Sequence, residues 1–594
     1  MTPARTGTPD GLRLALGSTR LRAGLAFVLV LLLVLGVRLF QLQALDLNGL
    51  AQAGLSNRLT STVVQPIRGS IVDADGKYFA RSVERYDIVV DQRLSAVEEF
   101  DRTVGEERET DVPIEQGLAE LSEVLGTDVE TLRASVLGDQ SFNYVARSVT
   151  PDVRYRALAV RIPGVYADMT SVRTYPAGPV AGSVIGYVGP DGVARAGLEN
   201  ALDEQLTGEA GSRTFEIGGD GIRIPYATNE DVPAENGQDI RLTIDQDLQW
   251  FAQQTIASQV EEYDAEWGNI VVVEVKTGAV KAMAESTTLD PNDPDATPWE
   301  ERSPNSVSAA FEPGSTTKVI TLAAALEEGL IEPTSQFTLD NRYTVGNQTF
   351  KDSTEHERER RTAAGVLAKS MNTGTVQIGE KLTKQERYDW LKKFGIGDPL
   401  GTGLGEENRG LLSTPDSWDD RQQYTVLFGQ GLSQTALHTA MVYQTIANDG
   451  VRLAPRLIDA YIDPDGTEHE VPQDEGTEVI SPETAAEMRK MLETVTEEGS
   501  GKSGELDQYR VGSKTGTAEA PSYTGGYDGY TLSYAGVAPI EDPQYVVVVT
   551  LQRPQGDLYY LIPGLSFQKV MQQVLNSNNV PASTTKPDIY PVEF

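Results

Sequence analysis

The sequence predicts an α/β or α+β protein in which the strands of a sheet are separated by an inserted block of helices. Two apolar runs, 269–275 and 279–284, are joined by Lys276-Thr-Gly278, a pattern typical of a β-hairpin. Segments rich in Ala and Leu with helical spacing follow between about 315 and 450. Strand-like segments then return near 510–516, 530–537 and 544–552. A sheet that is interrupted by an inserted helical block is an α/β or α+β arrangement.

Length and composition restrict the class of protein further. The 594 residues leave room for two or more domains, and a hydrophobic fraction of 39% is too low for a polytopic membrane protein. The net charge of −37 disfavours nucleic acid as a partner, because phosphates are bound by Lys and Arg. This acidity suits a soluble surface or a cation-rich environment. With no cysteine and only three histidines, disulfides and cysteine-ligated metals are excluded and a Ser-His-Asp triad is poorly supported.

One segment near the start of the chain predicts a membrane anchor. Residues 23–37 are an uninterrupted run of apolar residues and glycine, and the apolar character continues past Arg38 to residue 42. About 20 such residues approach one bilayer crossing. Four arginines precede the run, so we expect residues 1–22 in the cytoplasm, a transmembrane helix over 23–43 and the rest outside. A cleaved signal peptide is the alternative, but the run is long and residues 41–46 form a poor cleavage site.

The outer part of the chain divides into two predicted domains and a tail. Residues 44–235 contain short strand-like pieces and a helical pattern at 117–125, without a dense chemical constellation. A structural or interaction role is therefore expected for this first domain. The second domain, 236–577, begins with a strand at 241–245 and a helix from 248 to about 263. Residues 578–594 are polar and contain proline, which predicts a flexible tail.

The first chemical motif of the second domain is Ser315-Thr-Thr-Lys318. Pro313-Gly314 precede it and a strong helix former, 319–326, follows it, so Ser315 is expected at a helix N-terminus that favours negative charge. Lys318 then lies on the same helix face as the serine hydroxyl. A lysine near pKa 10.4 is no base, but a dry pocket beside another cation favours its neutral form. Alone, this motif is more often a helix cap followed by a surface lysine.

Two further motifs complete a candidate site. In Ser370-Met-Asn372, the serine could pass a proton to a leaving group and the asparagine could hydrogen-bond a substrate amide. In Lys514-Thr515-Gly516-Thr517, the lysine offers a cation to a carboxylate and the glycine lets a ligand approach the backbone. The N–H groups of Thr517 and Ser315 could form an oxyanion hole. A polar loop and an exposed strand end are the plain alternatives for these two motifs.

Three similar patterns are interpreted as structural. Ser583-Thr-Thr-Lys586 repeats the first motif in the proline-flanked tail, with no helix after it. Lys276-Thr-Gly278 repeats the third motif in a hairpin turn, where backbone conformation explains the glycine. The segment 499–503 resembles part of a phosphate-binding loop, but it follows a helix and has Thr496 where glycine is needed.

In this order, the three motifs resemble those of the penicillin-binding transpeptidases. The resemblance extends over about residues 20–575 and is most specific around Phe311-Glu-Pro-Gly-Ser-Thr-Thr-Lys318, Ala368-Lys-Ser-Met-Asn-Thr-Gly374, Phe428-Gly-Gln-Gly431 and Gly512-Ser-Lys-Thr-Gly-Thr-Ala518. Three upstream pieces resemble the pedestal domain of class B members, namely Arg68-Gly-Ser-Ile71, Arg173-Thr-Tyr-Pro176 and Gly197-Leu-Glu199. Thr317 departs from the family pattern, in which a larger apolar residue is common, so a modest packing change is expected there.

The resemblance implies a penicillin-binding, serine β-lactamase-like domain preceded by an elongated α+β pedestal. It implies D,D-transpeptidation of peptidoglycan stem peptides, with Ser315 as nucleophile, Lys318 as base and Ser370 as proton relay. Asn372, Lys514, Thr515, Gly516 and Thr517 would bind substrate, and no cofactor or metal is implied. β-Lactams would acylate the same serine, and the acyl-enzyme would persist because no Glu-x-x-Leu-Asn lies between the second and third motifs.

The similarity of residues 362–431 favours a division-type (septal) member over an elongation-type one. No glycosyltransferase domain is seen upstream, so the family implies a separate polytopic membrane glycosyltransferase and other division proteins as partners. A β-lactam sensor, a non-catalytic scaffold, a D,D-carboxypeptidase and a β-lactamase remain alternatives. A sensor needs a cytoplasmic output domain, for which 22 residues leave little room.

Overall fold

The computed structural model describes residues 11–43, 58–104, 106–216, 229–522, 525–556 and 561–594. The chain divides into two compact units, one formed by Met1–Pro66 and Glu209–Glu235 and the other by Ile67–Gly208 and Asn236–Phe594. Residues 67–208 thus share a compact unit with residues 236–594. The predicted domain boundary at residue 236 stays a prediction.

The first unit contains one long helix and a small sheet. The helix α1 covers Gly11–Gln43, and its segment Thr19–Gln41 is long and apolar enough to cross a membrane. The large apolar side chains between Leu21 and Phe40 are exposed, in contrast to those of a core helix. Three antiparallel strands form the sheet in the order β1-β8-β9, with bounds Leu59–Val64, Gly211–Glu216 and Asn229–Val232. Most of the predicted polar stretch from 44 to 62 lies outside the described residues.

The second unit contains the remaining strands. They are β2 (Ile71–Val72), β3 (Tyr78–Val90), β4 (Glu99–Val104), β5 (Glu107–Pro113), β6 (Asn143–Val149), β7 (Val165–Thr174), β10 (Asp239–Leu242), β11 (Trp267–Glu274), β12 (Val280–Glu285), β13 (Gln336–Leu339), β14 (Arg342–Val345), β15 (Gln348–Lys351), β16 (Glu359–Thr362), β17 (Val451–Arg452), β18 (Ile458–Ile462), β19 (Glu468–Glu470), β20 (Thr477–Glu478), β21 (Gly512–Pro521), β22 (Tyr527–Ala538) and β23 (Tyr545–Gln552).

The helices of this unit are α2 (Gln92–Ser95), α3 (Ile114–Leu125), α4 (Val129–Val136), α5 (Pro151–Ala159), α6 (Gly182–Ile185), α7 (Gly197–Ala201), α8 (Asp203–Thr207), α9 (Gln246–Glu262), α10 (Asn305–Ser308), α11 (Lys318–Glu327), α12 (Ala363–Ala368), α13 (Asn372–Gly379), α14 (Lys384–Lys393), α15 (Gln422–Thr425), α16 (Ala436–Ala447), α17 (Pro482–Glu498) and α18 (Ile562–Ser577).

A five-stranded antiparallel sheet in the order β12-β11-β23-β22-β21 is the central layer. Its two faces bury separate apolar clusters, because alternate side chains of a strand point to opposite faces. For example, Ile270 and Val272 pack with α9 and α18, whereas Val271 and Val273 pack with the helical block that includes α11 and α16. The α+β prediction is confirmed, and the predicted hairpin around Lys276 joins β11 to β12.

The helical block also contains short strands that the sequence analysis did not predict. β13 pairs with β16 and β14 with β15, between α11 and α12. Apolar alternation is weak in these four-residue strands, since most of their side chains are exposed or half-buried. Hydrophobic periodicity therefore carries little signal there.

A buried ion-pair network links the upstream motifs. The Glu199 carboxylate is fully buried and accepts hydrogen bonds from the Nε atoms of Arg68 and Arg173, both at 2.7 Å. Arg173 also donates to the Gly69 carbonyl at 2.6 Å. Three sequence pieces far apart in the chain thus meet at one carboxylate, in keeping with the structural role expected for them.

The segment after α18 is packed against the core, although its polar composition predicted a flexible tail. The flexibility of this segment stays a prediction. Tyr590 and Val592 pack against the apolar core, and the Thr362 N–H donates to the Val592 carbonyl at 3.1 Å. Polar composition predicted mobility, but the hydrogen bonds of this segment are made mainly by its backbone, which composition does not report.

Candidate active site

The turn that carries Ser315 is a short 3-10 helix, Gly314–Thr317, which runs directly into α11. Gly314 has φ +57°, a left-handed conformation that favours glycine, and an added Cβ would lie 2.6 Å from the Thr517 carbonyl oxygen. The turn therefore rests against β21. Ser315 is half-buried, so a ligand can reach it, and it lies at the start of a helix as predicted.

Lys318 points into the protein and is fully buried. Its Nζ donates to the Ser370 carbonyl oxygen at 2.6 Å and lies 3.5 Å from the Ser370 hydroxyl. Burial lowers the pKa of Lys318 to about 7, against a smaller opposing effect of Asp352. A substantial neutral fraction is available near neutral pH, which is what a lysine base requires.

Ser370 follows α12 in a left-handed conformation, with φ +58°. Its N–H donates to the Leu367 carbonyl at 3.1 Å, so the last turn of α12 sets where the serine lies. A non-glycine residue with positive φ costs energy and is common at functional sites. This conformation presents the Ser370 hydroxyl to both lysines of the site.

Lys514 reaches the same hydroxyl from the sheet. Its Nζ donates to Ser370 Oγ at 2.8 Å and to the Thr515 carbonyl at 3.0 Å. The side chain is fully buried, and burial together with the nearby Lys318 lowers the pKa of Lys514 well below its ordinary value. Because both lysines are buried around one serine, protonation of one lysine disfavours protonation of the other.

The remaining residues of the third motif lie along β21, the last strand of the five-stranded sheet. Thr515 Oγ1 donates to Ser500 Oγ at 2.8 Å, and Thr517 is exposed. A Cβ at Gly516 would overlap Ser533 Oγ and lie 2.9 Å from the Pro313 carbonyl oxygen. Close packing against Ser533 and Pro313 therefore explains why glycine occupies this position. The prediction gave a different reason, namely close approach of a ligand to the backbone.

Asn372 begins α13, and its side chain donates to the Lys351 carbonyl at 3.2 Å. The structure thus brings the amines of Lys318 and Lys514 to Ser370 and places Asn372 on the neighbouring helix.

Sequence reasoning missed Asp352, a buried carboxylate beside this site. It accepts hydrogen bonds from the Thr373 N–H at 3.0 Å, from Thr373 Oγ1 at 2.6 Å and from His356 at 3.0 Å. The carboxylate therefore caps α13 directly after the second motif. Burial lowers the pKa of His356, but its hydrogen bonds to Asp352 and the Glu357 carbonyl outweigh this effect and raise it. An isolated Asp in a polar stretch carried no signal for this role.

Two other contacts shape the Ser315 turn. The Gly431 N–H donates to the Glu312 carboxylate at 2.8 Å, which joins two segments that the resemblance had singled out. Tyr443, fully buried in α16, donates its hydroxyl to the Thr316 carbonyl at 3.1 Å. Tyr443 lies in an apolar helical run, so no polar pattern could have pointed to it. Thr317 is buried and its hydroxyl makes no hydrogen bond.

Of the three similar patterns interpreted as structural, segment 499–503 adjoins the site, because Ser500 Oγ accepts a hydrogen bond from Thr515. Lys276 occupies the β11–β12 turn and pairs with Asp449, and no helix follows Ser583. Residues 499–501 follow α17, as predicted, and the Gly501 carbonyl accepts the Tyr534 hydroxyl at 2.7 Å. In the part of the chain that the structure describes, no group of three or more His, Asp and Glu side chains could hold a metal ion.

Comparison with known proteins agrees with this geometry. The family model described as penicillin binding protein transpeptidase domain matches residues 268–575, and the model described as penicillin-binding protein dimerisation domain matches residues 63–242. The chain is 34% identical over 600 residues to penicillin-binding protein PbpB of Mycolicibacterium smegmatis, covering 96% of this chain and 92% of that protein. It is 30% identical over 561 residues to peptidoglycan D,D-transpeptidase FtsI of Escherichia coli, covering 93% and 90%.

Solved structures give the same result. A peptidoglycan synthetase from Bifidobacterium adolescentis superposes with a TM-score of 0.77 at 32% identity, over 90% of this chain and all of that one. Penicillin binding protein 3 from Mycobacterium tuberculosis, complexed with aztreonam, superposes with a TM-score of 0.68 at 27% identity over the same shares. The chain therefore belongs to the class B penicillin-binding proteins, which join a dimerisation domain to a transpeptidase domain.

Proposed function

We propose that this protein is a peptidoglycan D,D-transpeptidase that crosslinks stem peptides through an acyl-enzyme on Ser315 and is acylated by β-lactams at the same residue. The observation that carries the proposal is the meeting of Lys318 and Lys514 at the Ser370 hydroxyl. A buried lysine with a lowered pKa activates a hydroxyl nucleophile without histidine.

In the acylation step, Ser315 Oγ attacks the carbonyl carbon of the D-Ala-D-Ala amide. Neutral Lys318 takes the hydroxyl proton, and the N–H groups of Ser315 and Thr517 stabilise the oxyanion. The amide C–N bond then breaks, and the departing D-alanine amine receives the proton through Ser370. Asn372 holds the substrate amide.

The substrate carboxylate is held by Lys514, Thr515 and Thr517, on a strand whose packing requires Gly516. A carboxylate beside Lys514 favours the charged form of that lysine and offsets the repulsion between Lys514 and Lys318. Lys318 is then the lysine that can stay neutral. In deacylation, the amine of a second stem peptide attacks the ester carbonyl and gives a proton to neutral Lys318. The ester C–O bond breaks as the new amide forms, and Lys318 returns the proton to Ser315 Oγ.

Labelling with a fluorescent penicillin tests the nucleophile. The full-length chain in detergent is incubated with the probe as wild type, as Ser315→Ala and as Ser583→Ala. Wild type and Ser583→Ala should label equally, and Ser315→Ala should not label. Ser583 is a matched control because it begins the second Ser-Thr-Thr-Lys segment. A label that persists on Ser315→Ala would contradict the proposal.

A product assay separates the enzyme alternatives. Transpeptidation predicts a crosslinked dimer when stem pentapeptides on glycan strands are supplied together with an acceptor amine. A D,D-carboxypeptidase would release D-alanine without a dimer, a β-lactamase would turn over penicillin rapidly, and a sensor or scaffold would form no product.

A septal role is part of the proposal and is supported by similarity to FtsI and to stage V sporulation protein D of Bacillus subtilis. Depletion in the native cell should block division and leave elongation intact; the opposite result would favour the elongation-type alternative. The proposed partners are a polytopic membrane glycosyltransferase and other division proteins, which co-purification with the full-length chain can test.

We also propose the predicted segmentation and orientation, with residues 1–22 cytoplasmic, 23–43 spanning the membrane, and the pedestal (44–235) and the transpeptidase domain (236–577) outside the cell membrane. The chain has no cysteine, so single substitutions report topology without background. Thr8→Cys should be protected from a membrane-impermeant maleimide in intact cells, whereas Ser583→Cys should react once the reagent crosses the wall. The reverse pattern would overturn this orientation.

A further inference from the structure

Residues 588–593, here called the strap, lie across the two helices whose C-terminal ends meet beside Ser370 and Lys514. We infer that the strap is a positioning element of the active site: it holds α12 and α17 in register so that Ser370 stays within reach of both lysines. The inference rests on the proposed acylation of Ser315, since acylation is its readout.

The strap holds the start of α12 through backbone and side-chain bonds. The Thr362 N–H donates to the Val592 carbonyl at 3.1 Å, and the Thr362 hydroxyl donates to the Pro591 carbonyl at 2.5 Å. Thr362 is also the N-cap of α12, because its hydroxyl accepts the Gly365 N–H at 2.9 Å. Arg361 pairs with Glu593 at 2.5 Å. The strap thus supplies hydrogen-bond acceptors for the N–H and the hydroxyl of Thr362, the residue at the start of this helix.

The strap holds α17 through a second set of contacts. The Tyr590 N–H donates to Thr494 Oγ1 at 3.1 Å, and the Asp588 N–H donates to the Glu493 carboxylate at 3.1 Å. Lys490 pairs with Asp588 at 2.7 Å and lies over the Tyr590 ring, 4.4 Å from its centre. One short segment therefore joins two helices that belong to distant parts of the sequence.

Both helices end at the site. One residue, Lys369, separates Ser370 from the six-residue helix α12. The helix is about 9 Å long, so a shift of its start is transmitted over that distance to the serine. After α17, the Ser500 N–H donates to the Ala368 carbonyl at 3.0 Å, and Ser500 Oγ accepts from Thr515. Within α17, Thr496 bonds Ser513 at 2.8 Å. The far ends of the two helices thus touch the second and third motifs.

Gly365 offers a substitution that disturbs the strap alone. An added Cβ would overlap the Val592 carbonyl oxygen, and its three nearest contacts are all backbone atoms of Val592. Alanine is a better helix former than glycine, so Gly365→Ala does not weaken α12 itself. The added methyl group is expected to lift residues 591–593 from the helix.

The test measures acylation by a penicillin with rapid mixing, which separates the dissociation constant of the first complex from the acylation rate constant. Four proteins are compared in detergent: full-length wild type, full-length Gly365→Ala, a chain that stops after Ile589, and the truncated chain carrying Gly365→Ala. We expect the acylation rate constant to fall about tenfold in both single variants, as a small misplacement of a proton-handling group costs this order. The dissociation constant should change little.

The double variant decides between a strap and two unrelated defects. Since both changes remove the same contact, they should not add, and the double variant should acylate like the truncated chain. Additive losses would overturn the inference, as would a wild-type rate in the truncated chain. A purely stabilising strap would lower the melting temperature and leave the rate of the folded protein unchanged, which also overturns it. Absence of acylation in wild type would instead contradict the proposed function.

Discussion

The amines of Lys318 and Lys514 reach the same hydroxyl group, that of Ser370, at 3.5 and 2.8 Å. Both side chains are fully buried, so the site resists carrying two positive charges. Burial lowers the pKa of Lys318 to about 7, and burial with the charge of Lys318 lowers that of Lys514. Two lysines with lowered pKa values thus share one hydroxyl. In the proposed reaction, the substrate carboxylate beside Lys514 makes that lysine the cation and leaves Lys318 as the base.

Replacing Lys318 by methionine should abolish the base while keeping the volume of the side chain. We expect acylation by fluorescent penicillin to fall about 10²–10⁴-fold, the usual contribution of a general base. Stability should stay the same or rise, because methionine needs no desolvation of a charge. Labelling kinetics and thermal unfolding of the full-length protein measure both effects. A variant that acylates at the wild-type rate would show that Lys318 is not the base.

Acylation should rise with pH through about 7, since neutral Lys318 is the active form and burial lowers its pKa to that value. The ordinary lysine pKa is 10.5, so between about 7 and 10.5 the unfolded chain binds more protons at this position than the folded one. The stability of the folded protein therefore increases with pH across this window. Below about pH 7, the full cost of burying a protonated Lys318 remains. The difference in melting temperature between Lys318→Met and wild type should shrink from pH 7 to 9. A constant difference would contradict the lowered pKa.

Asp352→Asn should shift the pH dependence of acylation toward lower pH. The Asp352 carboxylate opposes the lowering of the Lys318 pKa, so its neutralisation lowers that pKa further. The plateau rate should also fall, because Thr373 loses its charged partner at the start of α13. Rate profiles from pH 5 to 9 measure this, with exposed Asp139→Asn as the control. A midpoint that stays fixed or moves upward would contradict the prediction.

Glu199→Gln should destabilise the protein by about 3–5 kcal/mol, because two buried guanidinium groups lose their shared carboxylate. Asp203, whose side chain is 53% exposed, also pairs with Arg68. Asp203→Asn is therefore the matched control and should cost no more than about 1 kcal/mol. Urea unfolding of the full-length chain in detergent gives both values. If both variants lost the same free energy of unfolding, burial of Glu199 would not explain its contribution to stability.

Gly516→Ala should slow acylation by pushing β21 away from the Ser315 turn. The added Cβ would overlap Ser533 Oγ and approach the Pro313 carbonyl oxygen to 2.9 Å. Adding Ser533→Gly removes the first overlap and leaves the second, so the double variant should recover part of the rate. Rapid-mixing kinetics with a penicillin distinguish the cases. Full activity of Gly516→Ala alone would show that the strand can move without cost.

Local sequence patterns were sufficient to predict the helices and strands that bury one apolar face. The hairpin β11–β12, the helix α9 and the strands β21 to β23 all follow from apolar periodicity and glycine-containing turns. The four strands between α11 and α12 did not follow, because most of their side chains are not buried. The strap did not follow either, since its attachments to Thr362, Gly365 and Thr494 are made through its backbone.

The sequence by itself determined which groups the site can contain: a serine and a lysine in one helical turn, a second serine, a second lysine and an asparagine, without cysteine. It also determined that one N-terminal segment is apolar enough to span a membrane. Only the tertiary structure decided that Lys318 is neutralisable, that Lys514 shares Ser370 with it, and that Asp352 caps the second motif. Burial and the charge of neighbours set these properties, and both depend on residues that are distant in the chain.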